Sequence, residues 1–319
     1  MSALPRTAEA PLQINQGLWL GLLGIVIFSA TLPLTKLAVG SLDAPQLSPW
    51  FVTFGRAALA GALSVLYLLT QRARGDLRVP SAPQWGLLAF TALGVVVGFP
   101  LFLALALQYV PSTHGAVVTG LLPLATAVVA ALWFRQKPSL GFWTCAVLGT
   151  LLVLAFMVIR SADSSGHLRL HLADVFLLLA MLSAALGYVG GARLTPSLGA
   201  ERVICWVLVM SLPVTLPMTW LNAPANFSAI HAASWWAFAY LAVFSMWIGF
   251  FAWYRGLALG GAVRVSQVQL VQPFLSMLFA VPLLGERLDA VTVGFALAVI
   301  ATVFIGKKMP VGVVVGIVK

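Results

Sequence analysis

Residues 134–138, Phe134-Arg135-Gln136-Lys137-Pro138, and residues 284–288, Leu284-Gly285-Glu286-Arg287-Leu288, decide how this chain is read. They are one polar break between apolar runs, met twice at a spacing of 150 residues, basic the first time and acid-balanced the second. Working outward without a gap, Trp85 falls on Trp235, Leu107 on Leu257, Val118 on Val268, Pro123 on Pro273 and Ala146 on Ala296. Two homologous halves inserted in opposite senses mark secondary transporters, whose substrate site lies between the halves.

The 319 residues are 61% hydrophobic and only 8% charged, a balance expected of a polytopic membrane protein and not of a soluble domain. Cys145 and Cys205 lie inside apolar runs, which indicates neither a disulfide framework nor a metal site. The formal charge of +10 is scattered singly between apolar segments. With no basic stripe interleaved with aromatics, lipid headgroups are expected partners and nucleic acid is not. Residues 1–16 form a polar N-terminal segment. The apolar run after it lacks a small-residue cleavage site and reads as a retained helix.

A bilayer core of about 30 Å takes roughly 20 helical residues. Runs of that length fall at about 17–39, 50–70, 85–109, 115–134, 141–159, 174–194, 203–221, 234–258, 261–284 and 289–306. The expected fold class is an all-α polytopic membrane protein: ten transmembrane helices as two inverted five-helix repeats, 17–159 and 174–308, with a tail at 309–319. A cytoplasmic N-terminus puts Arg6, Arg72, Arg74, Arg78, Arg135, Lys137, Arg193, Arg202, Arg255, Arg264, Lys307, Lys308 and Lys319 inside. Only Arg160, Arg169 and Arg287 fall outside, beside Asp43, Asp163, Asp174, Glu286 and Asp289. Loop lysine and arginine favour the cytoplasmic face, so both termini are expected there. Five helices per half require the second half to be inverted.

With that topology the chain resembles the drug/metabolite transporter superfamily, in particular the EamA family of ten-helix exporters. The resemblance covers about residues 17–308. It rests on Ala258–Pro273, where a short loop leads into a polar helix with a mid-span proline, and on LLGERLDAVTVGFALAVIATVFI at 283–305. Lys36, and Arg56 in FVTFGRAALAG, also resemble family positions. Arg135-Gln136-Lys137 departs from the family's acidic turn. The resemblance implies export of amino acids and other small metabolites across a bacterial inner membrane. No cofactor is expected, and a monomer is the working expectation.

The ninth run carries the sharpest cluster of candidate site residues. At 100° per residue Ser266, Gln269, Gln272, Pro273 and Ser276 share one arc, and such groups at bilayer depth must face protein or a wet cavity. Helix–helix hydrogen bonding is the competing role. Thr119, Pro123 and Thr126 form the matching arc on the fourth run. Pro123 and Pro273 each remove a helical hydrogen bond, giving kinks that can serve as hinges. Lys36 lies near the outer end of the first run, either snorkelling or attracting a substrate carboxylate. Arg56 is an intramembrane arginine and hence a functional candidate. Among the aromatics, Trp247, Phe250, Phe251 and Tyr254 read as core or pocket lining, and Tyr188 and Tyr254 carry hydroxyls that need partners. Trp235 and Trp236 read as an interfacial belt, and His114 as a solvated loop histidine. Glycine pairs four apart, Gly17 and Gly21, Gly94 and Gly98, and Gly256 and Gly260, suit close helix approach.

No carboxylate is expected mid-span, so a buried acid relay is not indicated, and no Walker loop points to ATP. The leading function is a secondary or facilitative exporter of small amphipathic metabolites, amino acids first, not an enzyme. Exchange of phosphorylated metabolites or nucleotide sugars would want several deep cations. An intramembrane lipid-modifying enzyme would want a nucleophile with a base or metal near the interface.

Overall fold

The structure, a computed structural model, describes residues 9–133, 137–161, 172–260, 266–309 and 311–312. The apolar runs become helices: α1 (Glu9–Ser29), α2 (Thr31–Val39), α3 (Pro49–Ala73), α4 (Ala82–Ala92), α5 (Phe99–Tyr109), α6 (Ser112–Thr119) and α7 (Leu122–Trp133). They continue as α8 (Leu140–Ser161), α9 (Leu172–Leu198), α10 (Ala200–Leu221), α11 (Ala232–Tyr240), α12 (Gly249–Gly260), α13 (Gln272–Leu284) and α14 (Ala290–Lys308). A π-helical segment, Leu93–Gly98, fuses α4 to α5, and another, Leu241–Ile248, fuses α11 to α12. A 3-10 segment, Ser266–Val271, leads into α13. The fold is all-α, with one exception among the described residues. Lys137–Pro138 pairs antiparallel with Val311–Gly312, which gives the start of the apolar tail a partner.

Six helical stretches are long and apolar enough to cross a membrane: Asn15–Val39, Pro49–Ala73, Ala82–Tyr109, Leu172–Leu198, Ala200–Leu221 and Ala232–Gly256. The protein is a multi-pass membrane protein. The helices of the fourth and ninth runs are interrupted near their middles. α6 stops at Thr119 and α7 begins at Leu122, while α13 begins at Gln272 behind the 3-10 turn. Pro123 and Pro273 are thus each the second residue of a fresh helical segment, not a kink inside a continuous one. There the missing N–H costs little, because the first turn of a helix has no intrahelical acceptors to satisfy.

Element boundaries repeat with the sequence register. α4 and α11 start at 82 and 232, α5 and α12 at 99 and 249, α7 and α13 at 122 and 272, α8 and α14 at 140 and 290. Close crossings hold the bundle together where glycines remove side chains. A β-carbon at Gly256 would stand 2.7 Å from the Gly21 nitrogen, and one at Gly94 would stand 2.5 Å from the Ser183 carbonyl oxygen. The central core gathers Phe28, Val95, Tyr188, Phe250, Trp253 and Tyr254 from α1, the first π segment, α9 and α12. Trp236 is exposed, whereas Trp235 packs against Phe51, Phe227 and Phe238.

Polar contacts collect at two ends of the bundle. At one, Arg202 pairs with Asp76 and donates to Gln71 Oε1 at 3.1 Å, Arg255 pairs with Glu201, and Arg78 and Gln84 both reach Ser197. At the other, Lys36 meets the Leu107 carbonyl, His114 meets Asp174, and Glu286 meets Ser112 and Thr113.

Candidate functional site

Two small cavities occupy the centre. The first, about 10 Å³, is lined by Thr119, Leu122, Pro123, Gln269, Gln272, Pro273 and Ser276. It sits where the two interrupted helices meet. Thr119 aligns with Gln269, Leu122 with Gln272, and Pro123 with Pro273, so both copies deliver the same positions to one space. Each proline offers no N–H to the carbonyl four residues back, that of Thr119 or Gln269, and both of those residues line the cavity. Gln269 is buried and Gln272 half-buried.

The second cavity, about 20 Å³, is lined by Phe28, Thr31, Arg56, Val95, Phe99, Tyr188, Ser245, Phe250 and Gln272. Gln272 belongs to both. Arg56 is 3% exposed, its Nε has no hydrogen-bond partner, and it forms no ion pair among the described residues. Tyr188 lines the same cavity. Thr31 and Ser245 hydrogen-bond through their hydroxyls at 2.8 Å on the same wall. Phe250 packs edge-on to Phe28 with centroids 5.1 Å apart. Each cavity holds about one water, so the centre is closed in this conformation.

Several sequence expectations change on these geometries. Ser276 lines the first cavity, but its hydroxyl donates to the Ser29 carbonyl at 2.8 Å. That carbonyl lacks its helical donor because the residue four on is Pro33, so Ser276 joins helices and satisfies an orphan acceptor. Thr119 and Thr126 both donate to carbonyls four residues back, Gly115 and Leu122, at 2.8 Å. Thr126 is not among the residues lining either cavity. Lys36 is likewise absent from both linings. Its Nζ donates to the Leu107 carbonyl at 2.6 Å near the end of α5, where the helix dipole favours a cation. Trp247 is half-buried against Phe251 outside the linings. Tyr254 is fully buried beside Phe250 and Gly191, also away from both. Ser266 begins the 3-10 turn, and its side chain lies outside the described residues, as does that of Gln267.

His114 is not a solvated loop residue. It lies buried in α6, its ring 5.0 Å from that of Phe156 and its Nε2 2.8 Å from Asp174 Oδ1. Asp174, placed by sequence among the outer polar residues, is 1% exposed. A carboxylate 60 positions away in sequence was needed to bury that imidazole, and periodicity cannot reveal such a pairing. Beside the pair, Gly285 adopts φ 66° and ends α13, swinging Glu286 toward α6. Glu286 Oε1 then accepts the Ser112 amide at 2.7 Å and Oε2 the Thr113 amide at 2.9 Å. A carboxylate from one half thereby caps a helix start in the other, a charge-assisted arrangement. A larger space of about 470 Å³ opens here, lined by Tyr109, Thr113, His114, Glu286, Arg287, Asp289 and Thr292 among others. α6 separates it from the centre, with His114 on one space and Thr119 on the other. Among the described residues no group of three or more His, Cys, Asp or Glu side chains could hold a metal.

Phe250, weighed by sequence as core or pocket lining, does line the second cavity, while sequence reading missed Phe28, Thr31, Val95, Phe99, Leu122 and Ser245. Isolated hydroxyls and phenylalanines in apolar helices carry no signal that separates cavity lining from core.

Comparison with known proteins adds an independent line. The chain is 42% identical over 288 residues to the uncharacterized transporter YdeK of Bacillus subtilis (strain 168), covering 90% of this chain and 96% of that protein. It is 26% identical over 274 residues to the uncharacterized transporter YyaM of the same organism, covering 82% and 85%. A protein crystal structure with 19% identity superposes with a TM-score of 0.61 over 91% of this chain and 96% of its own, a likeness of fold alone. The profile of the EamA-like transporter family matches residues 15–158 and again 171–306. Two such matches across the described bundle, with YdeK alongside, establish that the chain belongs to the EamA-like transporter family.

Proposed function

We propose that this protein exports small amphipathic metabolites, with amino acids and compounds built like them as the leading class, by alternating access at the central pair of cavities. The observation that carries the reading is the convergence of aligned positions from the two copies, Thr119, Leu122 and Pro123 with Gln269, Gln272 and Pro273, on one buried space. Midplane sites of repeat-built transporters draw on corresponding helices in this way. Gln269 and Gln272 offer donors and acceptors, Arg56 offers a fixed positive charge, and Phe28, Phe99 and Phe250 offer an apolar wall. Because each cavity holds about one water, cargo binding requires the helices around it to part. The space at the Glu286 end would become a route on one side once α6, which separates it from the centre, moves.

In this reading the chain makes ten crossings as two inverted five-helix repeats, both termini are cytoplasmic, and the membrane is a bacterial inner membrane. The Glu286 end faces outward and the Arg202 end inward. A single chain with its lipids is the working unit. Exchange of phosphorylated metabolites ranks lower because Lys36 is spent on the Leu107 carbonyl, which leaves Arg56 as the cation lining the central cavities. Counterflow in proteoliposomes tests the reading: labelled amino acid should accumulate against excess unlabelled amino acid inside. No counterflow across the amino acids, with counterflow of a sugar phosphate instead, would reverse the ranking.

A further inference from the structure

The charge at the centre points beyond that reading to the form of the cargo. Arg56 lines the second cavity, the first is lined by uncharged residues, and neither lining contains an Asp or Glu. Four carboxylates at the ends of the bundle are committed there. Asp174 faces His114, Glu286 holds two amides, Asp76 faces Arg202, and Glu201 faces Arg255. The guanidinium is therefore buried with an unpartnered Nε and with uncharged neighbours: the phenol of Tyr188, the Thr31–Ser245 hydroxyl pair, the Gln272 amide and three phenylalanines. An isolated buried charge is costly until an opposite charge joins it.

A monoanionic cargo brings the buried charge at this site to zero. A zwitterion leaves it at one positive, because its ammonium would find only amide and hydroxyl dipoles. We infer that the transported species is a monocarboxylate with an aromatic or bulky apolar body and no free ammonium, such as an N-acylated amino acid or an aryl-substituted organic acid. Its carboxylate would sit on Arg56 in the fork geometry that guanidinium offers carboxylates, and its body against Phe28, Phe99 and Phe250. Gln272, shared by both cavities, would take the acyl or other neutral polar group. This inference rests on the central cavities being the cargo site, and it narrows the amino-acid-like class of that reading to anionic members whose amine is acylated or absent.

The test is uptake by counterflow at neutral pH into liposomes holding the full chain, with three matched probes. N-acetylphenylalanine is an anion, phenylalanine a zwitterion and phenylalanine amide a cation. N-acetylphenylalanine should be exchanged at least about tenfold more efficiently than phenylalanine, and the amide not at all, since an uncompensated buried charge weighs that heavily. Arg56→Gln should erase the preference and Arg56→Lys should keep part of it; the wild-type ranking decides the matter if neither variant folds. Phenylalanine exchanged as well as its N-acetyl form, or a preference that survives Arg56→Gln, overturns the charge inference and leaves the cargo site in place. If none of the three probes is exchanged or raises the melting temperature, the central site itself is wrong and both readings fall.

Discussion

The two copies of the interrupted helix build the same joint from different chemistry. In the first, α6 runs to Thr119 and α7 restarts at Leu122-Pro123. In the second, a 3-10 turn runs to Val271 and α13 restarts at Gln272-Pro273. Thr119 against Gln269 and Leu122 against Gln272 show that the joint does not require long polar side chains in order to form. The prolines do the architectural work in both, and the glutamines are an addition confined to one. Polarity that a scaffold can omit in one copy and carry in the other is, in the reading proposed above, there for the cargo.

The most severe challenge to the comparison concerns orientation. If the copies are inverted, single cysteines at Arg72 and Arg135 label with an impermeant thiol reagent from the cytoplasmic side only, and cysteines at Asp163 and Asp289 from the outside only. Arg135→Cys and Glu286→Cys reacting from one side would abolish the inversion outright.

Next in size are the glutamines. Gln269→Leu and Gln272→Leu should each weaken cargo binding by about 1–3 kcal/mol, roughly five- to more than hundredfold, because each leaves a neutral polar group of the cargo buried without its partner. Gln267→Leu, outside the arc that Ser266, Gln269, Gln272 and Ser276 share in the sequence pattern, serves as control. Equal losses at all three positions would return the glutamines to the role of helix joints.

Glu286→Gln removes the charge that holds two amides of α6, worth about 1.5–3 kcal/mol for hydrogen bonds to a charged group, only part of which an amide oxygen restores. The central position Gln272→Cys should then react severalfold faster with reagent applied at the Glu286 side. An unchanged rate would mean that the carboxylate closes nothing.

Helix crossings furnish the mildest contrast. Gly94→Ala forces a methyl group to 2.5 Å from the Ser183 carbonyl oxygen and should destabilise by about 1–3 kcal/mol. Gly86→Ala on the preceding helix meets nothing within 4 Å and should gain about 0.5–1 kcal/mol from helix propensity. Thermal unfolding of the two variants in detergent separates them.

Much of this was legible in the apolar runs, because bilayer crossing fixes both the length and the polarity of a helix. The positions of α3, α8, α9, α10 and α14 follow from that alone. Gln269, Gln272 and Arg56 stood out for the same reason, as polar groups where apolar ones are cheaper. The breaks at Gly120 and before Gln272 were not legible, since periodicity registers a proline but not whether the helix kinks or restarts. Lys36 and Ser276 were ambiguous until their acceptors were known: one lies 71 residues away at Leu107, the other 247 residues away at Ser29. Long-range partners of this kind leave no trace in local pattern.

The two π segments carry a consequence for how such a protein changes over time. A π turn is an α-helix with one residue too many, accommodated by a wider coil. Leu93–Gly98 is followed directly by Phe99, and Leu241–Ile248 by Gly249 and then Phe250, and both phenylalanines face the Arg56 cavity. Deleting one codon within either segment would let the coil tighten to an ordinary helix, and because the wide turn absorbs its extra residue locally, the rod downstream would keep its phase instead of turning by about 100°. The phenylalanine would stay on the cavity wall while the backbone beside it straightens. A single-residue deletion, normally ruinous inside a membrane helix, is here one that the rod can absorb.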